Sequence, residues 1–249
     1  MERKYLKLIG ALLLLFFCIT GGFPQTEPAA PVWLSEIGPI CRGNVGTDKI
    51  IALSFETLPD DQETGELLAL LARYDIRATF FLKGEWAAAY PEQARKIAES
   101  GHEIGNHSQH HSLTLCERSY TEMLQELKEA NDTLLACTGE LPTLFRPPYG
   151  NWNDTLLEAA RQLNLETVLW DIDSLDWQNE SPRAMKTRIM REAGPGSILR
   201  FQDAARSTIA GVNQTIESLL GAGFQITTVS DLLNYRIGKS ASQTHQTAE

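Results

Sequence analysis

Four of the chain's five histidines fall within GHEIGNHSQHH, residues 101–111. His107 and His111 are four positions apart, so a helical turn through this stretch would put both imidazoles on one side, a spacing suited to a divalent metal. Two imidazoles make an incomplete site. Zinc normally takes a third protein ligand and keeps one position for water.

Three further segments carry polar groups where strands should end. IIALSFETLPDD (50–61) is an apolar run that breaks at Glu56 and Thr57 into a carboxylate-rich turn. LFRPPYG (144–150) has two prolines that fix a turn and would hold Arg146 and Tyr149 in place. An arginine at such a position can orient a carboxylate through paired hydrogen bonds. DIDSLDW (171–177) sets Asp173 and Asp176 three residues apart with Trp177 beside them.

The elements that must position these residues alternate along the chain. Strands are expected at 50–55, 76–82, 102–107, 143–146, 166–170, 197–201 and 225–229. Helices are expected at 63–74, 91–100, 120–135, 153–163, 182–192, 208–220 and 230–235. The helix at 120–135 presents Tyr120, Met123, Leu124, Leu127 and Leu134 on one face. About seven β–α units in series imply parallel strands joined by right-handed crossovers. Glu56, His107, Arg146, Asp173 and Gln202 then all lie at C-terminal strand ends, which favours a barrel-like closure over an open sheet.

The flanks read differently. Residues 1–22 carry Arg3, Lys4 and Lys7 before an apolar run at 8–20, the layout of a secretory signal, with an uncleaved membrane anchor as the competing reading. Residues 23–47 form a Pro-rich linker and N-terminal segment, 48–237 the domain, and 238–249 a polar tail expected to be disordered. Either signal reading places the domain outside the cell or at its surface. Cys116 and Cys137 bracket a long helix and should not pair with each other; either could meet Cys41, or all three could be free thiols. The chain has 249 residues, 43% of them hydrophobic, and a formal net charge of −10. That charge argues against nucleic acid as a partner, because binding there depends on phosphate neutralisation.

Taken in order, ATFFLKGEWA, GHEIGNH, LFRPPYG and DSLDW resemble the motifs of the polysaccharide deacetylases with a NodB-homology domain, carbohydrate esterase family four, over residues 48–235. The resemblance implies a distorted (β/α) barrel and removal of N-acetyl groups from a cell-wall glycan such as peptidoglycan or chitin. It implies a divalent metal, commonly zinc, held by one aspartate and two histidines. Carried across, His107 and His111 are the histidine ligands and Thr57 stands where the family has its aspartate ligand. Glu56 stands at the general base, Arg146 orients it, Asp173 supports the acid, and Tyr149, Trp177 and Arg200 line the substrate pocket. Gln202 stands where the family has the histidine acid. The chain therefore departs from the pattern at both ends. A threonine hydroxyl is a poor replacement for an anionic ligand, and a glutamine cannot deliver a proton, a contribution typically worth about 10²–10⁴-fold. Arg200 brings a cation into an otherwise apolar wall and would weaken a nearby metal. Two readings follow: a deacetylase with weak or altered activity, or a non-catalytic relative that binds glycan or a wall partner.

Overall fold

The computed structural model describes residues 38–56, 62–178, 180–202 and 206–235. The signal or anchor at 1–22, Thr57 with its neighbours Asp60 and Asp61, and the tail at 238–249 lie outside the described residues. Among those described, no helix is long and apolar enough to cross a membrane.

Strand β1 (Ile50–Glu56) is buried at every position, as expected for a parallel strand covered on both faces. Parallel neighbours flank it: β2 (Thr79–Leu82), β3 (Glu103–Asn106), β4 (Leu144–Phe145), β5 (Glu166–Thr167), β6 (Ile172–Asp173) and β7 (Ile198–Phe201). The sheet order is β5-β4-β3-β2-β1-β7-β6. β8 (Gln225–Thr227) pairs with the first three residues of β1, while β2 pairs with its last three. The seven expected strands are present. The two-residue β6 is an addition, too short to leave a periodic signal.

Helices α1 (Gln62–Arg73), α2 (Gly84–Ala89), α3 (Pro91–Glu99), α4 (Tyr120–Thr138), α5 (Asp154–Gln162), α6 (Pro182–Glu192), α7 (Arg206–Gly221) and α8 (Val229–Leu233) fill the connections. Ser119 and Glu122 form a capping box at the start of α4, Gly139 ends it at φ 78°, and Asn153 caps α5. On α4 the expected apolar face holds for Met123, Leu127 and Leu134, whereas Tyr120 is exposed. Glu126 and Asn131 share the buried face.

The period-two geometry of the strands sorts the side chains. Ile51, Leu53 and Phe55 of β1, Phe80 of β2, and Leu199 and Phe201 of β7 join one core cluster with the surrounding helices. Phe55 stacks between Phe80 and Phe201 at 5.0 and 5.4 Å. The alternate residues, Ser54, Glu56, Phe81 and Arg200, share the other face. Phe81 fits there because its neighbour Gly105 has no side chain: a Cβ on Gly105 would stand 2.5 Å from the Phe81 ring.

β5 and β6 end the sheet without pairing, and the expected linker closes the gap. Ile40 bridges Val168 and Arg42 bridges Ser197. The Arg42 guanidinium bonds Asp171 and the Ser197 hydroxyl. The result is an incomplete, strapped barrel whose C-terminal strand ends open on one side.

Candidate active site

The five expected strand-end residues, Glu56, His107, Arg146, Asp173 and Gln202, do converge, and Arg200 is at their centre. In the parallel register Arg200 pairs with Ser54 on one side and Asp173 on the other. Glu56 lies two residues beyond Ser54 on the same face, within reach of a long side chain. Arg200 Nε and Nη2 donate to the two Glu56 oxygens at 2.8 and 2.9 Å. Nη1 donates to Asp173 at 2.8 Å and Nη2 also donates to the Gln202 side-chain oxygen at 2.7 Å. Trp170 covers the guanidinium at 4.1 Å. Paired bonds of this kind to a carboxylate are among the strongest polar contacts a protein makes. The Arg200 side chain thus turns into the pocket, and Asp173 holds it there.

Gln202 is fixed from two directions. Its oxygen accepts from Arg200, and its backbone N–H donates to both oxygens of the buried Asp176. Asp176 also accepts from the Ser174 and Thr208 hydroxyls.

Arg146 is fully buried beneath this layer. It lies over the Phe81 ring at 4.0 Å and donates to the backbone oxygens of Val168 and Leu169. Its Nη1 is 3.8 Å from Glu56 and makes no hydrogen bond. Arg146 therefore supports Glu56 by charge, and the direct hydrogen bonds come from Arg200.

His107 and His111 meet, with ring centroids 4.6 Å apart, but no helical turn joins them. Residues 107–112 are irregular, and Ser108 and His111 have positive φ values of 62° and 53°. The loop is held by its surroundings. Asn106 bonds α4 through the Leu127 carbonyl and Asn131, and accepts from the Ser108 N–H. Glu126 of α4 accepts from the His110 N–H, the His110 ring and Arg118. The first amides of α2 donate to Ser108 and Gln109. Four apart was the right spacing for proximity, achieved by a strained loop and not by a helix.

His107 Nδ1 lies 2.8 Å from the Arg146 carbonyl. A carbonyl accepts, so Nδ1 carries the proton and Nε2 has a free lone pair. Nε2 is buried without a hydrogen-bond partner, 3.7 Å from Glu56. Burial pulls the His107 pKa down to about 4, so the ring is neutral at pH 7. Burial and Lys83 lower His111 as well. Burial opposes ionisation of Glu56, but its cationic neighbours outweigh that and hold the carboxyl below its ordinary value. Burial also pulls Arg146 down to about 9, which leaves it charged at neutral pH.

Tyr149 and Trp177 are 46% and 49% exposed. The Tyr149 ring packs on His111 at 4.6 Å. Cys41, Cys116 and Cys137 are all free thiols.

The described residues do not fit a divalent metal. No group of three His, Cys, Asp or Glu among them could hold one. Glu56 is the acidic group beside His107, and both its oxygens are taken by Arg200. Trp170, Glu126 and Asn131 are functional neighbours that strand-end reasoning passed over. A carboxylate on the apolar face of a helix, three residues after Met123, was the available signal for Glu126.

A parallel half-barrel with this ring of strand-end residues defines a glycan deacetylase fold. The polysaccharide deacetylase family model matches residues 43–168, and the chain belongs to that family. It is 35% identical to the peptidoglycan-N-acetylmuramic acid deacetylase PdaC of Bacillus subtilis over 74% of this chain and 38% of that protein. It is 31% identical to a Bacillus cereus peptidoglycan-N-acetylglucosamine deacetylase over 76% and 90%, respectively. The named relatives are therefore hydrolases of N-acetyl amide bonds, and the family generally depends on a divalent metal. The chain spans well under half the length of PdaC. Among solved structures, a carbohydrate esterase family 4 pseudoenzyme from Bacillus anthracis superposes with a TM-score of 0.76 at 28% identity, over 79% of this chain and 69% of that one. A variant of that pseudoenzyme is described as having restored enzymatic activity.

Proposed function

We propose that this chain is a cell-surface member of the deacetylase family that engages the N-acetylated glycan of a bacterial wall, without efficient metal-dependent hydrolysis. The observation that carries this is the geometry at Glu56: both carboxylate oxygens accept from Arg200, which stabilises the anion and makes it a poorer base, and no group of three acidic, histidine or cysteine ligands among the described residues could hold a metal beside it. A general base works best when its pKa lies near the operating pH, and a carboxylate held below its ordinary value is far from that. Gln202, locked by Arg200 and Asp176, is no acid. Tyr149, packed on His111, and Trp177, next to the Asp176 that holds Gln202, expose aromatic faces of the kind on which sugar rings stack. The peptidoglycan specificity of the relatives supports the glycan class. The basic flank and apolar run at the N-terminus support a secreted or anchored location.

A slow N-deacetylase is the second reading, favoured by the unpartnered Nε2 of His107 beside His111. One experiment separates the two. N-acetylated chitin oligomers and purified peptidoglycan fragments are titrated into the protein, and acetate is followed with zinc or cobalt added. Saturable binding, with acetate no higher than in a His107→Ala/His111→Ala control, is the expected result. Turnover that rises with added zinc and is lost in that control selects the second reading.

A further inference from the structure

We propose that Arg200 is the resident cation of this pocket: its guanidinium holds the carboxylate that a divalent ion would need, and it keeps metal out of a chain that still carries part of a metal donor set. This rests on the family reading of the pocket and specifies how the pocket is regulated.

Charge is the first argument. Glu56 and Asp173 face Arg200 and Arg146, two carboxylates against two guanidiniums. Both of these carboxylates are already matched by a guanidinium, so a dication would have to displace one to use either. Geometry is the second. The Glu56 side chain is 5% exposed and its two oxygens point at Arg200, so binding a metal there requires breaking two hydrogen bonds inside the protein. Arg200 itself cannot easily swing out, because Asp173, Gln202 and the Trp170 face fix it from three sides.

The third argument is what surrounds it. The His107 tautomer leaves Nε2 bare, 3.7 Å from Glu56, and the His111 ring sits against His107. An unpartnered buried nitrogen carries a desolvation cost with no compensation. As they stand, Glu56, His107 and His111 are not placed to hold a metal. They are nonetheless the carboxylate and two imidazoles that zinc uses, and loss of the guanidinium would free the Glu56 side chain to turn toward the histidines. Removing Arg200 should therefore open a metal site where the described residues of the wild-type chain form none.

The test uses zinc and cobalt(II) on the full chain after EDTA treatment. The wild type should take up neither ion at one per chain in calorimetry, and EDTA should leave its melting temperature unchanged. Arg200→Leu should bind zinc at least about 100-fold more tightly than wild type, the scale expected when a like charge is removed from contact distance. Cobalt should give it a visible absorption band that disappears in Arg200→Leu/His107→Ala. Arg200→Lys keeps the charge and should exclude metal as wild type does. Tight stoichiometric zinc in the wild type overturns the proposal whether or not the variants fold, and so does a folded Arg200→Leu that gains no affinity. Glycan binding is read separately: its absence from a wild type that stays metal-free refutes the glycan reading, while the metal-free state itself supports the role of Arg200.

Discussion

Truncating Arg200 should be among the more destabilising single changes in the domain. Arg200→Met keeps the stem beside Trp170 but removes every hydrogen bond of the guanidinium: two to Glu56, one to Asp173, one to Gln202. The consequences differ by partner. The Asp173 side chain is 24% exposed and regains water, so its share is small. The Glu56 side chain is 5% exposed, and among the described residues Arg146 at 3.8 Å and His107 at 3.7 Å remain beside it, both too far to hydrogen-bond. Removing one partner of a buried ion pair typically costs about 3–5 kcal/mol. Domain stabilities run from about 5 to 15 kcal/mol, so the variant should fold but with much of its margin gone. With a urea dependence of about 2 kcal/mol/M, the unfolding midpoint at pH 7 should fall by roughly 2 M. Adding Glu56→Gln removes the stranded charge and should recover about half of the loss. A loss below about 1 kcal/mol for Arg200→Met, or no recovery in the double variant, would show that the Glu56–Arg200 pair is not the structural centre of the pocket.

Further outcomes follow from other parts of the molecule. Burial pulls His102 down to about 4, as it does His107. Between about pH 6.5 and 4 the unfolded chain then binds protons that the folded chain refuses, so stability should be flat above this window and fall as pH drops through it. A full shift of this size is worth about 3 kcal/mol per histidine, and His102→Gln should flatten the slope of chemical-denaturation stability against pH. Gly105→Ala should cost about 1–3 kcal/mol in urea unfolding, because its Cβ would meet the Phe81 ring that carries Arg146. Glu126 raises the His110 pKa by a side-chain hydrogen bond, so Glu126→Gln should lower the His110 titration midpoint in NMR and loosen the loop that presents His107. Combining Thr57→Asp, Arg200→Leu and Gln202→His should produce zinc-dependent acetate release above wild type if the pocket is otherwise sound.

Much of this was legible in the chain itself. The alternation of apolar runs and helical stretches placed all seven long-signal strands, and Glu56, His107, Arg146, Asp173 and Gln202, the polar residues expected at strand ends, do come together, since C-terminal strand ends of a parallel barrel point the same way. A cap at Asn151 or Asn153 can be expected from sequence because a capping side chain acts on the next few residues only, and Asn153 is the one that fills it. What depends on strands distant in sequence was harder to see. The charge of Arg200 was plainly adverse to a metal, but its grip on Glu56 follows from the register of β1 with β7, which sets residues 144 apart side by side. The His107–His111 contact was expected for a helical reason and is made by a loop instead, because Asn106 and Glu126 supply hydrogen bonds that outweigh local preference. β6 has only two residues and no pattern to detect.

The central claim, that this pocket binds wall glycan with Arg200 in place of a metal, is most directly tested by calorimetric titration of an N-acetylated peptidoglycan fragment into the full chain in EDTA. The account predicts saturable binding, the same as without chelator. Binding that EDTA abolishes and zinc restores would contradict it.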